Sequence, residues 1–254
     1  MNKRQDIYLK KIPDQLYQDI VDLFAQEYHI KNGEKMRLAN YYVGISRNLA
    51  NQFVQFIEEV KQGLAEEKHP TLAIPDGFQP HEGNLLSTEI GTDVSFASYD
   101  MAVTETGLQK IEFQAVATYP ISAARLNRCI LDSLAEANVH IFADNPATTW
   151  DDFIQFYTRI IAGNAPDGIV ITDRLVEQQK TNFEFYATQK ELSAPIDIVD
   201  MKHLFEQDQA LFYKPPQETQ APVRVKRLYN RILLAEALFD DHYPQDSSTW
   251  HFRF

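Results

Sequence analysis

The sequence predicts a mixed α/β fold: an N-terminal helical region and an antiparallel hairpin, followed by a domain built on a parallel sheet. Two observations predict this order. "DVSFASYDMAV" and "LQKIEFQAV" both alternate between polar and apolar residues, and "TETG" between them is a turn sequence. From residue 168 onward, short apolar strands alternate with helical segments, which is typical of β-α-β units.

The helices and strands follow from apolar spacing and from capping residues. Residues 14–28 and 41–66 have helical spacing, and Thr149 is a predicted cap for a helix over 150–163. Ser122 is predicted to cap a helix that begins at residue 123. In the second half, strands are expected at "GIVITDRL" and "PIDIVD", and helices at "TNFEFYATQKELS" and "MKHLFEQD". "PVRVKRLYNRILL" is expected to be a strand that runs into a final helix, and a domain boundary is expected near residues 163–167.

Composition and charge exclude several classes of function. The 254 residues carry a formal net charge of −12, which repels nucleic acid and anionic membranes. The apolar runs are too short to span a bilayer. A single cysteine, Cys129, excludes an internal disulfide framework and is typical of a reducing cytosol. We therefore expect a cytoplasmic protein that binds neither nucleic acid nor membrane.

The second hairpin strand carries Lys110, Glu112 and Gln114 at a spacing of two, which predicts that they share one face. One interpretation is a metal site, because carboxylate and amide oxygens are ligands for a hard cation such as Mg²⁺. The alternative is a solvated strand face on which Lys110 and Glu112 form a weak surface pair. An even loop would place Tyr99 opposite Glu112. An odd loop or a bulge would instead place Asp100 on the face of Glu112, and the sequence leaves both registers open.

Two segments have features of an anion site. Ser122 and the first amides of the helix after it form a positive helix end. In "VRVKRLYNRIL", Tyr229, Asn230 and Arg231 are expected to emerge at the carboxyl end of a strand, where ligands bind in open α/β sheets. The Arg231 guanidinium can clamp a carboxylate, and Lys226 on the same strand is a further candidate cation for an anionic ligand. The alternative is an edge strand that is protected by its charges.

Two of these passages resemble a known family. "FASYDMAVTETGLQKIEFQAVATYPIS" and "VRVKRLYNRILL" are similar to the circularly permuted ATP-grasp ligases of the eukaryotic-type glutathione synthetase and glutathionylspermidine synthetase kind. The resemblance implies that Glu112 matches the magnesium-binding glutamate, with Gln114 where the family has asparagine, and that Arg231 matches the substrate-binding arginine. It also implies Mg²⁺ and ATP as cofactors and a Rossmann-like, pre-ATP-grasp-like substrate domain.

On this resemblance, residues 1–165 are the helical and antiparallel part of an ATP-grasp-like domain, and residues 166–245 are the substrate-binding domain. Residues 246–254 are expected to begin a truncated continuation, because the family's nucleotide-binding lysines follow the substrate domain and are not found in this chain.

The expected function is therefore that of a partial carboxylate–amine ligase, inactive as this fragment, that forms an acyl phosphate. Its substrate, a small carboxylate or peptide, is expected at Arg231, Ser122, Tyr229 and Lys226, with metal at Glu112 and Gln114 and no assigned catalytic residue. The sequence leaves open whether the protein forms a homodimer. The alternative is a noncatalytic α/β module that binds a small anionic peptide or metabolite.

Overall fold

A computed structural model describes residues 6–28, 38–66, 97–104, 107–114, 118–133, 149–215 and 221–232, with the side chains of 64–66 excepted. The described part of the chain contains five α-helices, small antiparallel sheets and one three-stranded parallel sheet, which confirms the mixed α/β class. None of the described helices has both the length and the apolar character needed to cross a bilayer.

The chain divides into two compact units. Met1–Ile12, Ala39–Ala115 and Asp246–Phe254 form the hairpin unit, and Pro13–Leu38 and Val116–Gln245 form the parallel-sheet unit. This division differs from the boundary predicted near residues 163–167. The reason is that three of the helices before that point pack with the parallel sheet or with its helices: Asp14–Glu27, Pro120–Ser133 and Trp150–Ala162. The predicted continuation over 246–254 lies outside the described residues.

The hairpin unit contains two antiparallel strand pairs and one helix. Strand β1 (Ile7–Lys11) pairs with β2 (Tyr41–Ile45), helix α2 spans Arg47–Glu66, and β3 (Ser98–Thr104) pairs with β4 (Gly107–Gln114). The prediction of one helix over 41–66 was therefore wrong for its first residues. Ser46 ends the strand and caps α2, because its hydroxyl accepts from the Leu49 amide at 3.1 Å.

In the hairpin unit, aromatic rings pack α2 against one face of the hairpin. The Phe56 ring lies edge-on to Tyr99, with 6.1 Å between centroids, and Tyr99 contacts Phe113 across the strands at 5.0 Å. These contacts assign Tyr99 and Phe113 to the covered face of the hairpin, so the residues that alternate with them project from the opposite face.

The parallel-sheet unit is built around the strand β5 (Ile169–Asp173). This strand pairs in parallel with β6 (Ile196–Asp200) and with β10 (Arg227–Asn230), so the order is β10-β5-β6. All five β5 residues are buried, as expected for a short apolar run at the centre of a parallel sheet. The remaining helices of this unit are α1 (Asp14–Glu27), α3 (Pro120–Ser133), α4 (Trp150–Ala162) and α5 (Phe183–Glu191).

Two elements of this unit differ from the predictions. "MKHLFEQD" was predicted to be a helix, but it forms a 3-10 turn followed by the strand β7 (Leu204–Gln207). This strand pairs with β8 (Ala210–Tyr213). Asp208 and Gln209 have φ of 51° and 59°, which gives the two-residue turn that matches the twist of a hairpin.

The predicted last strand is divided between two sheets: β9 (Val223–Arg224) pairs with β8, and β10 pairs with β5. Its expected helix lies outside the described residues.

Candidate functional site

The hairpin has a bulge that decides which side chains share a face. Asp100 pairs directly with Glu112 and Ser98 with Gln114, but Met101 pairs with Lys110, so Ile111 is the extra residue. Of the two registers left open by the sequence, the structure therefore has the one with Asp100 on the face of Glu112. Two carboxylates lie directly opposite each other there, beside the Gln114 amide.

The bulge also removes Lys110 from this face. Because cross-strand partners project from the same side, Lys110 follows Met101 onto the face of Tyr99, while Glu112 follows Asp100 onto the other. The expectation that Lys110, Glu112 and Gln114 lie on one face was wrong for Lys110. The extra residue Ile111 moves every residue that precedes it on β4 to the opposite face of the hairpin. The weak Lys110–Glu112 surface pair therefore does not explain this face.

The side-chain oxygens that remain on this face, those of Asp100, Glu112 and Gln114, are of the kind that a hard cation binds. Asp100 and Glu112 are exposed, and the Gln114 Nε2 donates to the Glu112 carboxylate at 2.8 Å, which restrains that side chain. Mg²⁺ is commonly held by one or two carboxylates together with water and substrate phosphates. No cluster of three or more His, Cys, Asp or Glu residues that could hold a metal occurs in the described part of the chain. Within the described residues these side chains are therefore too few for a closed metal site, and a cation bound there would need further ligands such as water.

Arg231 is buried in the parallel-sheet unit, where it is 2% exposed. It directly follows β10, and its amide donates to the Thr172 carbonyl on β5 at 3.0 Å, which extends the parallel pairing by one residue. Its guanidinium Nη1 donates to the Thr118 carbonyl at 2.5 Å and to the Tyr229 hydroxyl at 3.1 Å. In the part of the chain that the structure describes, the buried Nε of Arg231 has no hydrogen-bond partner. One donor of a buried cation therefore remains open.

In the described part of the chain, three aromatic rings lie around this guanidinium. Its Cζ lies 5.1 Å from the centroid of Phe185 and 5.7 Å from the centroids of Tyr119 and Tyr229. Rings at such distances attract a cation through their negative faces, most strongly where water is excluded. The rings stabilise the charge of Arg231 without using its N–H groups.

Ser122 lies in the first turn of α3 rather than at its cap, because the helix begins at Pro120. Its capping role was therefore predicted wrongly. The carboxylate of Glu184, which is 0% exposed, accepts from the Ile121 amide at 3.0 Å, from the Ser122 amide at 2.9 Å and from the Ser122 hydroxyl. A side chain of α5 thus occupies the helix end that the sequence suggested for an external anion.

Burial determines the protonation of this cluster. Loss of water raises the pKa of Glu184 above its ordinary value, although the donors of Ser122 and Ile121 and the charge of Arg231 act in the opposite direction. Burial also raises the pKa of Tyr229, with the charge of Arg231 opposing it. Tyr229 therefore stays a neutral phenol, and its oxygen accepts from the guanidinium.

Lys226 lies at the opposite end of β10 from Arg231. Its amide donates to the Gly168 carbonyl at 2.8 Å, just before β5, and its ammonium pairs with Asp167. Five residues of extended chain separate Lys226 from Arg231 by about 16 Å. The structure thus brings Arg231, Tyr229 and Ser122 into one region but leaves Lys226 outside it.

Glu184 and Tyr119 belong to this region but were not predicted from the sequence. A glutamate in the first turn of a helix is ordinarily solvated, so its pattern did not distinguish it. The one unusual feature of its sequence context is its position between Phe183 and Phe185 in "NFEFY". Tyr119 precedes a proline in the "TYP" turn and gives no comparable signal.

Comparison with known proteins adds no assignment to this geometry. No protein-family model matches the chain, and no curated protein is significantly similar to it.

Proposed function

We propose that this chain is the substrate-binding part of a ligase that uses ATP to join a carboxylate to an amine. The proposed relationship is to the circularly permuted ATP-grasp ligases of the glutathione synthetase and glutathionylspermidine synthetase kind. The observation that carries the proposal is the direct pairing of Asp100 with Glu112 across the hairpin. Like charges opposite each other destabilise a strand pair, so such a pair is best explained by a cation that it serves.

The parallel-sheet unit supports the substrate half of the proposal. Three parallel strands have polar residues at their carboxyl ends, where ligands bind in open α/β sheets, and we propose that this unit is Rossmann-like and pre-ATP-grasp-like. Arg231 extends from this edge and would hold the substrate carboxylate, with Tyr229 fixing one of its nitrogens. Lys226 lies at the other edge of the sheet and pairs with Asp167, so it is not part of this proposed substrate site.

The chemistry assigned to the chain's own residues is positioning and charge neutralisation. In such a ligase Mg²⁺ supplies neutralisation of phosphate charge when the substrate carboxylate becomes an acyl phosphate. Asp100 and Glu112 would hold the ion, and Gln114 would orient the Glu112 carboxylate through its 2.8 Å hydrogen bond. Arg231 would align the carboxylate for reaction.

Titration with Mn²⁺ tests the metal site without nucleotide or substrate. Free Mn²⁺ gives a paramagnetic resonance signal that decreases when the ion binds to protein. The chain should therefore bind one equivalent of Mn²⁺ and reduce this signal, and added Mg²⁺ should displace the bound Mn²⁺ and restore the signal. Asp100→Asn and Glu112→Gln should each weaken binding at least about tenfold, equivalent to about 1.4 kcal/mol. Glu59→Gln, an exposed α2 carboxylate in the same unit, should leave it unchanged. Equal binding by all four proteins would refute the proposal.

A second candidate function rests on a separate observation, the open Nε of Arg231. A noncatalytic module could use this donor to bind a small anionic peptide or metabolite. Thermal unfolding in succinate, with and without Mg²⁺, separates the two functions. Stabilisation by succinate that is lost in Arg231→Lys, together with no Mn²⁺ binding at the hairpin, would favour the module over the ligase.

A further inference from the structure

Tyr119 is the exposed member of the aromatic group around Arg231. It is 40% exposed, whereas Phe185 is fully buried and Tyr229 is half-buried. Its ring lies 5.7 Å from the Arg231 Cζ and stacks on Phe183, with 5.8 Å between centroids and 25° between planes. Of the rings that contact the guanidinium, Tyr119 is therefore the one whose displacement would admit solvent.

The contacts of Tyr119 permit such a displacement. Its backbone carbonyl accepts from the Ala123 amide at 3.1 Å, which anchors the main chain at the start of α3. Within the described residues, its side chain is held only by the Phe183 stack and by the Arg231 contact. Rotation about the Cα–Cβ bond would move the ring without breaking a hydrogen bond of the backbone.

The group behind Tyr119 lacks one partner. Among the described residues, the buried Arg231 Nε has no hydrogen-bond partner, while the nearby Glu184 carboxylate is already engaged by Ile121 and Ser122. A buried donor left without an acceptor is unfavourable, and an incoming carboxylate would satisfy both this N–H and the positive charge. The missing acceptor thus has the chemistry of an anion that the described residues do not supply.

We propose that Tyr119 is a gate: its ring covers Arg231 in the closed state and swings outward to admit a small carboxylate to the Nε. The inference deepens the proposed function and rests on the role given there to Arg231. Phe183 serves as the surface on which the closed ring rests. Closure over a bound carboxylate would exclude water from the ion pair, which strengthens it.

Arginine-selective labelling with phenylglyoxal, followed by peptide mass spectrometry, measures access to Arg231 directly. Arg128, whose side chain is 42% exposed on α3, is the internal reference. In the unaltered chain Arg231 should react far more slowly than Arg128, because the open state is a minor population of about a tenth or less. Tyr119→Ala should raise the Arg231 rate at least about tenfold and leave the Arg128 rate unchanged. Tyr119→Phe, which keeps the ring, should behave as the unaltered chain.

Succinate identifies the class of ligand. It should slow labelling of Arg231 in Tyr119→Ala and leave Arg128 unaffected. An Arg231 rate that does not change in Tyr119→Ala, or a faster rate that succinate does not slow, would overturn the proposal. If both arginines react faster in Tyr119→Ala, the unit has unfolded. Phe183→Leu then decides, because loss of the stacking surface should open the gate and a constant Arg231 rate would refute it.

Labelling needs neither metal nor nucleotide, so its outcome is independent of Mn²⁺ binding at the hairpin. Failure of the gate and failure of the ligase proposal are therefore distinguishable.

Discussion

Replacing Glu184 with alanine tests the connection between α5 and the first turn of α3. The carboxylate is fully buried and accepts three hydrogen bonds, from the amides of Ile121 and Ser122 and from the Ser122 hydroxyl. No backbone carbonyl precedes these amides within the helix, so they have no alternative acceptor there. Glu184→Ala would therefore leave them unsatisfied inside the unit.

The magnitude follows from the number of donors left unpaired. Each buried donor without a partner costs about 1–3 kcal/mol, and water entering the vacated space recovers part of that. We expect Glu184→Ala to lower the free energy of unfolding by about 3–5 kcal/mol, because three buried donors lose their acceptor together. Glu184→Gln keeps the volume and one acceptor oxygen, so it should cost less, about 1–2 kcal/mol.

Urea unfolding of the full chain at pH 7, followed by circular dichroism, supplies the free energies. Ser122→Ala alone should cost about 1 kcal/mol, because Glu184 loses one donor. In the background of Glu184→Ala the same change should cost almost nothing, which gives a coupling of about 1 kcal/mol in the double-mutant cycle. Additive costs, or a loss below about 1 kcal/mol for Glu184→Ala, would refute this account of the α3 terminus.

The remaining predictions concern pH and the α4 cap. Because burial raises the pKa of Glu184, the native chain retains a proton that the unfolded chain releases above about pH 4.3, so its unfolding free energy should fall as pH rises. Relative to the non-titrating Glu184→Gln, the unaltered chain should therefore lose stability from pH 4 to pH 8, and a relative gain in urea titrations would contradict this. Thr149→Ala removes the capping box with Asp152 and should lower the free energy of unfolding by about 1 kcal/mol. Thr149→Ser keeps a hydroxyl and should lower it less. Equal decreases for both variants in urea unfolding would contradict the capping role.

Local patterns predicted much of the parallel-sheet unit. Strand β5 was identifiable because a strand buried on both faces has a continuous apolar run, and its five residues are all buried. Helix α4 was identifiable because Thr149 and Asp152 form a reciprocal cap, which depends on adjacent residues alone. The carboxyl end of β10 was predicted as the position of Arg231 because it follows from strand direction.

The wrong predictions involve partners that are distant in sequence. Tyr41–Ile45 has apolar residues compatible with a helix, but it forms a strand because Ile7–Lys11 pairs with it. "LFEQ" likewise becomes a strand because Ala210–Tyr213 folds back on it. In the hairpin, only the cross-strand register shows that Ile111 is extra, and the face of Lys110 depends on that single residue. Tertiary pairing overrides local spacing at each of these points.

Glu184 also restricts how the parallel-sheet unit could bind an anion. A carboxylate at the α3 terminus would compete with a side chain that already holds the Ile121 and Ser122 amides, and two carboxylates at one helix end repel each other. Arg231 differs because its Nε has no partner among the described residues, and Glu184 does not take that donor. Of the two anion sites suggested by the sequence, only Arg231 therefore has a donor to offer. A substrate carboxylate should consequently protect Arg231 from labelling in Tyr119→Ala whether position 122 is serine or alanine. Protection that depended on the Ser122 hydroxyl would instead assign the anion to the helix end.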